Sequence, residues 1–352
     1  MSTEELGRIW EWFADTSCRD YSPLYDRICR FVAHDPELLA LTQEAPPEAH
    51  QPNVLLGVVH YLLLGGLDHP LGEVYRAQSD ADPGPLFRDV CLTHRAEVLE
   101  LMETRRTQTN ECGRSALIGP ALTWAARTIG APLALLDVGT SAGLNLGCDR
   151  YFIDYGAAGS TGPPDSEVKI ACTVTGGRPP IATRLPAIVA RVGLDRSPID
   201  LTDERDARWL LACTWPDTGD RLARTGAAIR DAQRHPPTIR RGDMIDDLPA
   251  AVATLPRDAV ACVTTTWAIA YLRREARERF AAQLARAGRD RPIVWISGEG
   301  PGIVPEFRDY RPPAVDGIEP NMLGAIVYRG RTKRATPLAF VHPHGASIDW
   351  LA

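Results

Sequence analysis

Apolar residues recur at helical spacing through the first hundred residues of the chain. The repeat is clear in two successive segments, first at Leu6, Ile9, Trp10 and Phe13 and then at Leu24, Ile28 and Phe31. Asp35-Pro36 predicts a further helix start, because Asp can cap exposed amides and proline loses no hydrogen bond at the first helical position. One continuous helix is expected from about Pro85 to Arg105. We therefore predict an all-helical N-terminal cap domain over residues 1–105.

From residue 131 the pattern changes to short apolar strands that alternate with helices. Strands are predicted at 132–138, 187–195, 238–240, 259–264 and 292–296, and helices at 205–212, 221–234 and 272–287. This alternation is typical of a mostly parallel sheet covered by helices on both faces. Two final strands, 324–328 and 337–341, flank a polar turn and predict an antiparallel hairpin at the end of the sheet. Residues 106–352 are thus predicted to form an α/β domain.

Glycine and proline interrupt this α/β pattern after its first strand. Ten of the 31 residues from 156 to 186 are Gly or Pro, and one short strand is expected among them at 168–174. Such a composition predicts turns and irregular backbone rather than core elements. We expect an inserted flap over about 151–187, whose strand lies at an edge.

Composition excludes several classes of partner. The chain has 39 basic residues, of which only Lys169 and Lys333 are lysines, against 45 acidic residues and a formal charge of −6. No overall basic field attracts a polyanion, so nucleic-acid binding is disfavoured. The longest apolar run, Val54 to Leu67, carries His60 and is shorter than the roughly 20 residues of a membrane span. It predicts a buried helix.

The eight cysteines and the first residues indicate the compartment. None of the cysteines forms a pair with two-residue spacing, so the thiols are predicted to be free and buried rather than zinc or redox ligands. The acidic start Met1-Ser-Thr-Glu-Glu-Leu6 lacks the basic and apolar regions of a signal peptide. We expect a cytoplasmic protein with no metal centre.

Small residues follow the first predicted strand in the stretch Leu136-Asp-Val-Gly-Thr-Ser-Ala-Gly-Leu-Asn145. In one interpretation Gly139 makes a tight turn, while Ser141 and Gly143 keep the backbone close to a nucleotide-like ligand. In a second, Gly139 to Gly143 is a nucleophile elbow in which Ser141 attacks and a C-terminal histidine is the base. The long helical region before the strand is unusual for such a hydrolase. A purely structural turn is the third interpretation.

The stretch resembles the first motif of class I S-adenosylmethionine-dependent methyltransferases. That motif is an acid at the end of the first strand followed by a glycine-rich turn, which Asp137, Gly139 and Gly143 match. Ser141 departs from it, because glycine is common at that position. The resemblance implies a Rossmann-like sheet and S-adenosylmethionine as the cofactor, with contacts from Asp137, Gly139, Thr140, Ser141, Gly143 and Asn145.

Two further acids follow from the same resemblance. The second motif of these enzymes is an acid that ends the second strand and binds the ribose hydroxyls, and Asp195 resembles it. Asp195 lies 58 residues after Asp137, whereas about 20 is usual. The inserted flap accounts for the excess, and Asp154 is the alternative. Asp243 resembles an acid near the adenine amine, or is a simple turn residue.

After the fourth predicted strand comes Thr264-Thr-Thr-Trp267-Ala-Ile-Ala-Tyr271. Amino-methylating relatives often carry Asn or Asp, two prolines and an aromatic residue there, so methylation of a DNA base or a protein amide is disfavoured. Thr265 and Trp267 are expected to line the cofactor cleft, because parallel sheets bind ligands beyond the carboxyl ends of their strands. Tyr271 is expected to contact the substrate.

Over nearly its whole length the chain resembles the uncharacterised bacterial family called domain of unknown function 2332. The resemblance rests on Ser22-Pro-Leu-Tyr25, Gln108 to Arg114, Ser141 to Asn145 with Asp149-Arg-Tyr151, Trp215-Pro-Asp217 with Arg221, and His344-Gly345. It implies no activity.

A polar cluster precedes the first strand by one helix. Its groups either cap that helix or contact the substrate, with Asn110 and Arg114 as binding residues and Glu111 as a catalytic candidate.

Two polar groups nearer the C-terminus add candidates. Trp215 and Arg221 either form an aromatic wall and an ion pair at the mouth of the cleft or fix a loop on the core. His342 and His344 have no close acidic or cysteine partner in the sequence, which disfavours a metal site. His344 is the candidate general base, because imidazole accepts protons near neutral pH.

The sequence therefore predicts an S-adenosylmethionine-dependent methyltransferase that acts on a small molecule. Two other functions stay open, namely a serine hydrolase that uses Ser141 and a non-catalytic S-adenosylmethionine-binding module. Arg114 and Arg221 are the arginines expected to grip an anionic substrate.

Overall fold

The fold is described from a computed structural model, over residues 1–311 and 320–352. Its α-helices are α1 (Thr3–Phe13), α2 (Pro23–His34), α3 (Pro36–Glu44), α4 (Pro52–Leu64), α5 (Leu71–Tyr75), α6 (Pro83–Thr93), α7 (Arg95–Thr104), α8 (Ser115–Ile129), α9 (Glu204–Ala212), α10 (Arg221–Arg234), α11 (Leu248–Ala253) and α12 (Arg274–Ala287). None of these helices has the length and apolar character needed to cross a membrane.

The strands of the described residues form one large and one small sheet. They are β1 (Leu133–Val138), β2 (Phe152–Asp154), β3 (Ser160–Thr161), β4 (Lys169–Ala171), β5 (Thr173–Gly176), β6 (Ile188–Asp195), β7 (Ile239–Arg241), β8 (Val260–Thr266), β9 (Ile293–Glu299), β10 (Asn321–Arg329), β11 (Thr332–Val341) and β12 (Ser347–Trp350).

The chain divides into two compact units. The first unit comprises Met1–Thr109 and Thr202–Gly226, and the second comprises Asn110–Leu201 and Ala227–Ala352. Segment 202–226 is predicted to belong to the second domain. In the structure it belongs to the first unit, because side chains of that segment join the apolar core of the N-terminal helices.

Helix starts in the first unit follow from local sequence. The Asp35 carboxylate accepts hydrogen bonds from the amides of Glu37 and Leu38 at 3.0 and 2.9 Å, and Pro36 is the first residue of α3. This confirms the predicted cap. The single helix predicted from Pro85 to Arg105 is wrong. The backbone leaves helical geometry at His94 (φ −104°, ψ 28°), which separates α6 from α7.

Segment 202–226 is tied to the first helices by polar contacts as well as by packing. The Asp217 carboxylate accepts hydrogen bonds from the Ser22 hydroxyl at 2.6 Å and from the Leu24 amide at 2.9 Å, at the start of α2. The Trp215 ring lies against Tyr21 and Tyr25. Two sequence motifs almost 200 residues apart thus meet in the first unit.

The second unit is built on a nine-stranded sheet. Its strand order is β5-β12-β11-β10-β9-β8-β1-β6-β7. Adjacent strands from β7 to β9 are parallel, and the pairs β9-β10, β10-β11 and β11-β12 are antiparallel. A mixed α/β fold with a large, mostly parallel sheet is thereby confirmed. In chain order the five parallel strands lie third, second, first, fourth and fifth across the sheet.

Helices cover both faces of this sheet. Helix α8 packs on β8, β9 and β10, whereas α11 packs on β6 and α12 on β9. Strand β1, the middle one of the five parallel strands, is buried at every position. One of its faces packs in the same apolar cluster as α11 and α12. Burial of every position explains why the residues of β1 before Asp137 are all apolar, instead of alternating between apolar and polar.

The region predicted as a flap is divided between the two sheets. Strands β2, β3 and β4 form a separate three-stranded sheet, in the order β3-β2-β4, while β5 joins the edge of the large sheet by pairing in parallel with β12. The single strand predicted at 168–174 is therefore two strands. Neither β12 nor its pairing with β5 was predicted.

The contact between Asp217 and α2 predicts the stability of the first unit. We expect Asp217→Ala to lower the free energy of unfolding by about 2 kcal/mol, because the Leu24 amide and the Ser22 hydroxyl lose a charged acceptor. Urea denaturation followed by circular dichroism measures this. Asp80→Ala is the matched control, since Asp80 is an exposed aspartate of the same unit and lies outside the helices. Equal midpoints for the two variants would contradict the assigned role of Asp217.

Candidate functional site

The candidate site lies at the carboxyl ends of the parallel strands in the second unit. From β1 the chain continues to β6 and β7 on one side of β1, and then crosses to β8 and β9 on the other side. The strand order therefore reverses between β1 and β8. Open α/β sheets bind ligands in the crevice that such a reversal creates. The polar residues that end β1, β6, β8 and β9 therefore define the site.

Asp137, near the end of β1, lies at the centre of this edge. It is buried, and its two carboxylate oxygens accept hydrogen bonds from the Thr140 hydroxyl at 2.7 Å and the Thr264 hydroxyl at 2.6 Å. Burial raises the pKa of Asp137, and the two hydroxyls partly oppose that rise. The carboxylate thus joins the turn after β1 to the end of β8.

The turn after β1 has left-handed backbone at alternate residues. The φ angles of Gly139, Ser141 and Gly143 are 73°, 55° and 76°. A side chain at Gly139 would approach the Ala268 Cβ to 2.6 Å, and one at Gly143 would approach Pro237 to 2.9 Å. Both glycines are therefore needed for close packing against the protein's own loops as well as for backbone geometry.

Asp195 at the end of β6 binds this turn. Its carboxylate accepts a hydrogen bond from the Ser141 amide at 2.8 Å and from the Ser197 amide at 2.8 Å. The Gly139 amide donates to the Leu194 carbonyl at 2.8 Å, and the Gly143 amide donates to the Thr140 carbonyl at 2.9 Å. The protein thus satisfies these amides internally.

A 3₁₀ segment, Leu144–Arg150, follows the turn. Its start is tied to the polar cluster before α8. The Asn110 side-chain oxygen accepts from the Leu144 amide at 2.8 Å. Asn145 accepts from the Ser115 hydroxyl at 2.9 Å and donates to the Glu111 carbonyl at 3.2 Å. Asn110 and Asn145 therefore hold Glu111 beside the turn.

Glu111 and His344 meet in the structure, although 232 residues separate them in the sequence. Glu111 is buried and accepts from the Gly113 amide at 2.8 Å, and its other oxygen is 4.0 Å from His344 Nδ1. Gly345 makes the approach possible, because a Cβ there would lie 2.1 Å from the Gly113 carbonyl oxygen. About a third of the His344 side chain is exposed, so a buried acid stands behind an accessible imidazole.

Arg114 ties three segments together at the same edge. Its guanidinium donates to the Thr266 carbonyl at 3.0 Å and to the Pro343 carbonyl at 3.1 Å, and lies 5.8 Å from the centre of the Trp267 ring. Arg114 itself is buried. These contacts indicate that Arg114 positions the three segments around it. An arginine that binds an anionic substrate would instead be exposed.

Glu299, the last residue of β9, holds the loop that follows β8. Its Oε1 accepts from the amides of Ala268 and Ile269 at 3.0 and 3.3 Å. Its Oε2 is buried and has no hydrogen-bond partner within residues 1–311 and 320–352, and the residue is 1% exposed. Burial raises the pKa of Glu299 to about 7, although the two amides and Arg114 oppose the rise. A carboxyl group at this edge therefore titrates near neutrality.

That loop presents aromatic rings to solvent. Trp267 has a left-handed φ of 57° and is 39% exposed, and Tyr271 is 85% exposed. The Trp267 amide donates to the Gly298 carbonyl at 3.1 Å. Left-handed backbone is energetically costly for a bulky residue. The hydrogen bond of the Trp267 amide therefore keeps the indole at the crevice in spite of that conformational energy.

Other predicted site residues lie elsewhere. Thr265 is fully buried, and its hydroxyl accepts from the Trp295 indole at 3.0 Å on the α12 side of the sheet. Asp243 accepts from the Ile245 amide at 2.8 Å and the Arg196 guanidinium at 2.8 Å, and these contacts lower its pKa. It acts here as a turn residue.

Trp215 and Arg221 belong to the first unit. Trp215 donates to the Asn53 side chain at 3.2 Å, and Arg221 donates to the Tyr21 hydroxyl at 3.0 Å. These contacts fix segment 202–226 on the N-terminal helices, which is the structural alternative that the sequence left open for them.

Two residues of the site were missed in the sequence. They are Thr264 and Glu299. Asp137 and Asp195 share a signal, namely an acid at the end of a predicted apolar strand. Glu299 lies three residues beyond the predicted strand 292–296, so it shows this signal only in the structure, where β9 extends to residue 299.

Asp137, Asp195, Glu111 and Glu299 place four carboxyl groups at this edge, and Arg114 places a guanidinium there. Arg196, which follows β6, and Arg277, which donates to the Ile269 and Ala270 carbonyls, add positive charge to the same region. No group of three or more His, Cys, Asp and Glu side chains within the described ranges is arranged to hold a metal ion.

The raised pKa of Glu299 predicts how stability depends on pH. The ordinary pKa is 4.5 and the folded pKa is about 7, so folding takes up a proton between these values and the group's stabilisation is lost as pH rises through 7. We expect Glu299→Gln to match the wild type near pH 4.5 and to be more stable by about 3 kcal/mol at pH 8. Chemical denaturation at both pH values measures the difference.

Glu275→Gln is the matched control for this prediction. Glu275 is exposed on α12, so its substitution should have no pH-dependent effect. If Glu299→Gln and Glu275→Gln behave alike at pH 8, Glu299 does not carry a buried charge.

Comparison with known proteins identifies the family but not the activity. A family model described as "Uncharacterized protein conserved in bacteria (DUF2332)" matches residues 8–350. No curated protein matches the chain. Because the matched region includes both units almost completely, the chain belongs to this bacterial DUF2332 family.

Proposed function

We propose that the second unit binds S-adenosylmethionine and transfers its methyl group to a small-molecule acceptor. The observation that carries the proposal is the pair of acids Asp137 and Asp195, which end the first two parallel strands on either side of the left-handed turn 139–143. The strand order β7-β6-β1-β8-β9 reverses beside that turn, and the crevice at such a reversal is where open α/β sheets bind ligands, which supports the proposal. Resemblance to class I methyltransferases implies the same arrangement.

The charge and hydrogen bonding of the site favour this cofactor over a dinucleotide. A phosphate group needs amides that point toward it and a positive surrounding field. Here the amides of Gly139, Ser141 and Gly143 bond to the protein, and the carboxylate of Asp195 lies directly beside them. A sulfonium cation is attracted by a neighbouring carboxylate, whereas a phosphate group is repelled by it.

The residues that would hold the cofactor follow from their positions. Asp195 is partly exposed and each of its oxygens has spare acceptor capacity, which suits ribose hydroxyl groups. Gly139 to Gly143 supply a close backbone surface beside it. Trp267 supplies an exposed ring at the neighbouring strand end. Thr265 and Asp243 are not included, because their polar atoms are engaged inside the protein.

S-adenosylmethionine supplies a methyl group that is already activated by its sulfonium, so the chain must orient the acceptor and take up its proton. His344 is exposed enough to receive that proton. Glu111, held by the Gly113 amide and by Asn145, stands 4.0 Å behind it and stabilises the imidazolium that forms. Trp267 and Tyr271 offer aromatic surface for the acceptor.

Calorimetric titration with S-adenosylmethionine and S-adenosylhomocysteine tests the cofactor. We expect both to bind the wild-type protein, and Asp195→Asn to weaken binding at least tenfold, because it replaces a charged acceptor by a neutral one. Asp246→Asn is the matched control, since Asp246 is an exposed aspartate that pairs with Arg279 outside the turn. Its affinity should equal that of the wild type.

Two results would contradict the proposal. One is the absence of binding by either compound at millimolar concentration. The other is equal affinity in the Asp195→Asn and Asp246→Asn proteins, with both folded by circular dichroism. Binding without turnover of any acceptor tried would instead indicate the non-catalytic module.

A serine hydrolase is the second candidate, and one observation favours it. Ser141 has left-handed backbone, as a nucleophile on a sharp strand-to-helix turn would. Against it, the residues before β1 form helices and no strand, and a 3₁₀ segment follows the turn.

A fluorophosphonate probe separates the two activities. We expect no labelling of the wild-type protein, because the methyl-transfer proposal gives Ser141 no nucleophilic role. Labelling that disappears in Ser141→Ala and persists in Ser115→Ala would establish the hydrolase and overturn the expectation.

A further inference from the structure

Two cysteine thiols are in contact inside the first unit. Cys18 and Cys29 are fully buried, and their sulfur atoms are 4.0 Å apart. Cys18 ends a π-helical turn, Ala14–Cys18, that follows α1, whereas Cys29 lies on α2. Among the eight cysteines, which all lie within the described ranges, these two are the pair whose sulfur atoms are in contact.

The distance between the two sulfur atoms permits a covalent link. A disulfide bond is about 2.05 Å long, so the sulfur atoms have to approach each other by about 2 Å. Rotation of one cysteine about χ1 moves its sulfur farther than that. Both residues belong to the apolar core of the first unit, so a link between them would join the end of α1 to α2 in an apolar environment that accepts a disulfide.

The turn that covers Cys18 provides a route for a small oxidant. Arg19 and Asp20, which follow Cys18 directly, are exposed, and Asp20 has a left-handed φ of 63°. The Cys18 carbonyl accepts hydrogen bonds from the amides of Tyr21 and Ser22 at 3.0 and 2.8 Å. Local opening of a short surface turn requires the loss of few such bonds. Opening of this turn therefore uncovers Cys18 without unfolding α2.

We propose that Cys18 and Cys29 form an oxidation site, at which hydrogen peroxide converts the two thiols into a disulfide. The Cys18 thiolate attacks one peroxide oxygen, so that an S–O bond forms, the O–O bond breaks and the released hydroxide takes up a proton. The Cys29 thiolate then attacks the Cys18 sulfur, so that the S–S bond forms and the S–O bond breaks. The two thiols lose two electrons and two protons, and the peroxide is reduced to two water molecules.

The order of these steps follows from the surroundings of the two thiols. Burial raises the pKa of Cys29, and Cys18 and Asp26 add to the rise, whereas Arg30 opposes it. A thiol with a raised pKa is seldom ionised and is a poor first nucleophile. Cys18 lies next to the exposed turn and reacts first. The resulting sulfenic acid is in contact with Cys29, and this proximity favours the second step.

The oxidation site does not depend on the methyltransferase proposal. It lies in the first unit and shares no residue with the crevice at the carboxyl ends of the parallel strands. Failure of S-adenosylmethionine to bind would therefore leave the oxidation of Cys18 and Cys29 unaffected, and the two proposals can be tested separately in the same protein.

Peptide mapping after oxidation tests the link. The native protein is treated with hydrogen peroxide, its remaining thiols are blocked with iodoacetamide, and it is digested with trypsin without reduction. Trypsin separates the two cysteines, because Arg19 and Arg27 lie between them. We expect mass spectrometry to find the Cys18 and Cys29 peptides joined as the main disulfide, and dithiothreitol to separate them.

Cys91→Ser is the matched control variant, because Cys91 is a buried cysteine of the same apolar core. It should form the link as the wild type does, whereas Cys18→Ser should not form it. We also expect Cys29→Ser to accumulate the sulfenic acid at Cys18. The probe dimedone should therefore label Cys18 roughly tenfold more in Cys29→Ser than in the wild type or in Cys91→Ser.

Two results would overturn the proposal. One is the absence of the linked peptides at a peroxide concentration that oxidises free glutathione in the same buffer. The other is the formation of several different disulfides in equal yield, as expected of the chain oxidised in concentrated urea, because proximity in the fold would then not select the pair. The wild-type peptide map decides both points even where circular dichroism shows that a serine variant does not fold.

Discussion

The carboxylate of Asp137 is the contact on which the candidate site depends. It lies on a strand that is buried at every position, where an unpaired charge would cost several kcal/mol. Two threonine hydroxyls satisfy it, one from the turn after β1 and one from β8. Because an ionised carboxylate only accepts hydrogen bonds, both hydroxyls must point toward it. This orientation fixes the turn relative to the neighbouring strand, and with it the edge at which β1 and β8 diverge.

The rest of the site is locked to that edge by close backbone approach. Gly139 leaves room for Ala268 and Gly345 leaves room for the Gly113 carbonyl, so no side chain separates these segments. Glu299 then holds the Ala268 amide from the other side. The loop after β8 is thus fixed between a glycine of one strand end and a carboxylate of another. Its two exposed aromatic rings are displayed by a rigid support, which is what a binding surface requires.

The sequence was sufficient to predict the features that depend on interactions between adjacent residues. The strand and turn around Asp137, the acid Asp195 and the Asp35 cap each depend on a few adjacent residues. The break at His94 was not predictable, because the apolar stripe continues through it. The approach of Glu111 to His344 and the return of segment 202–226 to the first unit depend on contacts across the whole chain, for which a single sequence carries no direct signal.

Two residues with strained backbone lie at the same crevice. Over the described part of the second unit, Ser141 and Trp267 are the non-glycine residues with left-handed φ. They follow β1 and β8, the two strands between which the order reverses. Such geometry costs about 1 to 3 kcal/mol per residue and persists only where surrounding contacts impose it, as Asp195 does for Ser141 and the Gly298 carbonyl does for Trp267. Glycine would adopt either conformation without that cost. The strained backbone at these two positions therefore allows a hydroxyl group and an indole ring to lie where glycine would provide no side chain. Both positions are at the point where the topology of the sheet opens a crevice for a ligand.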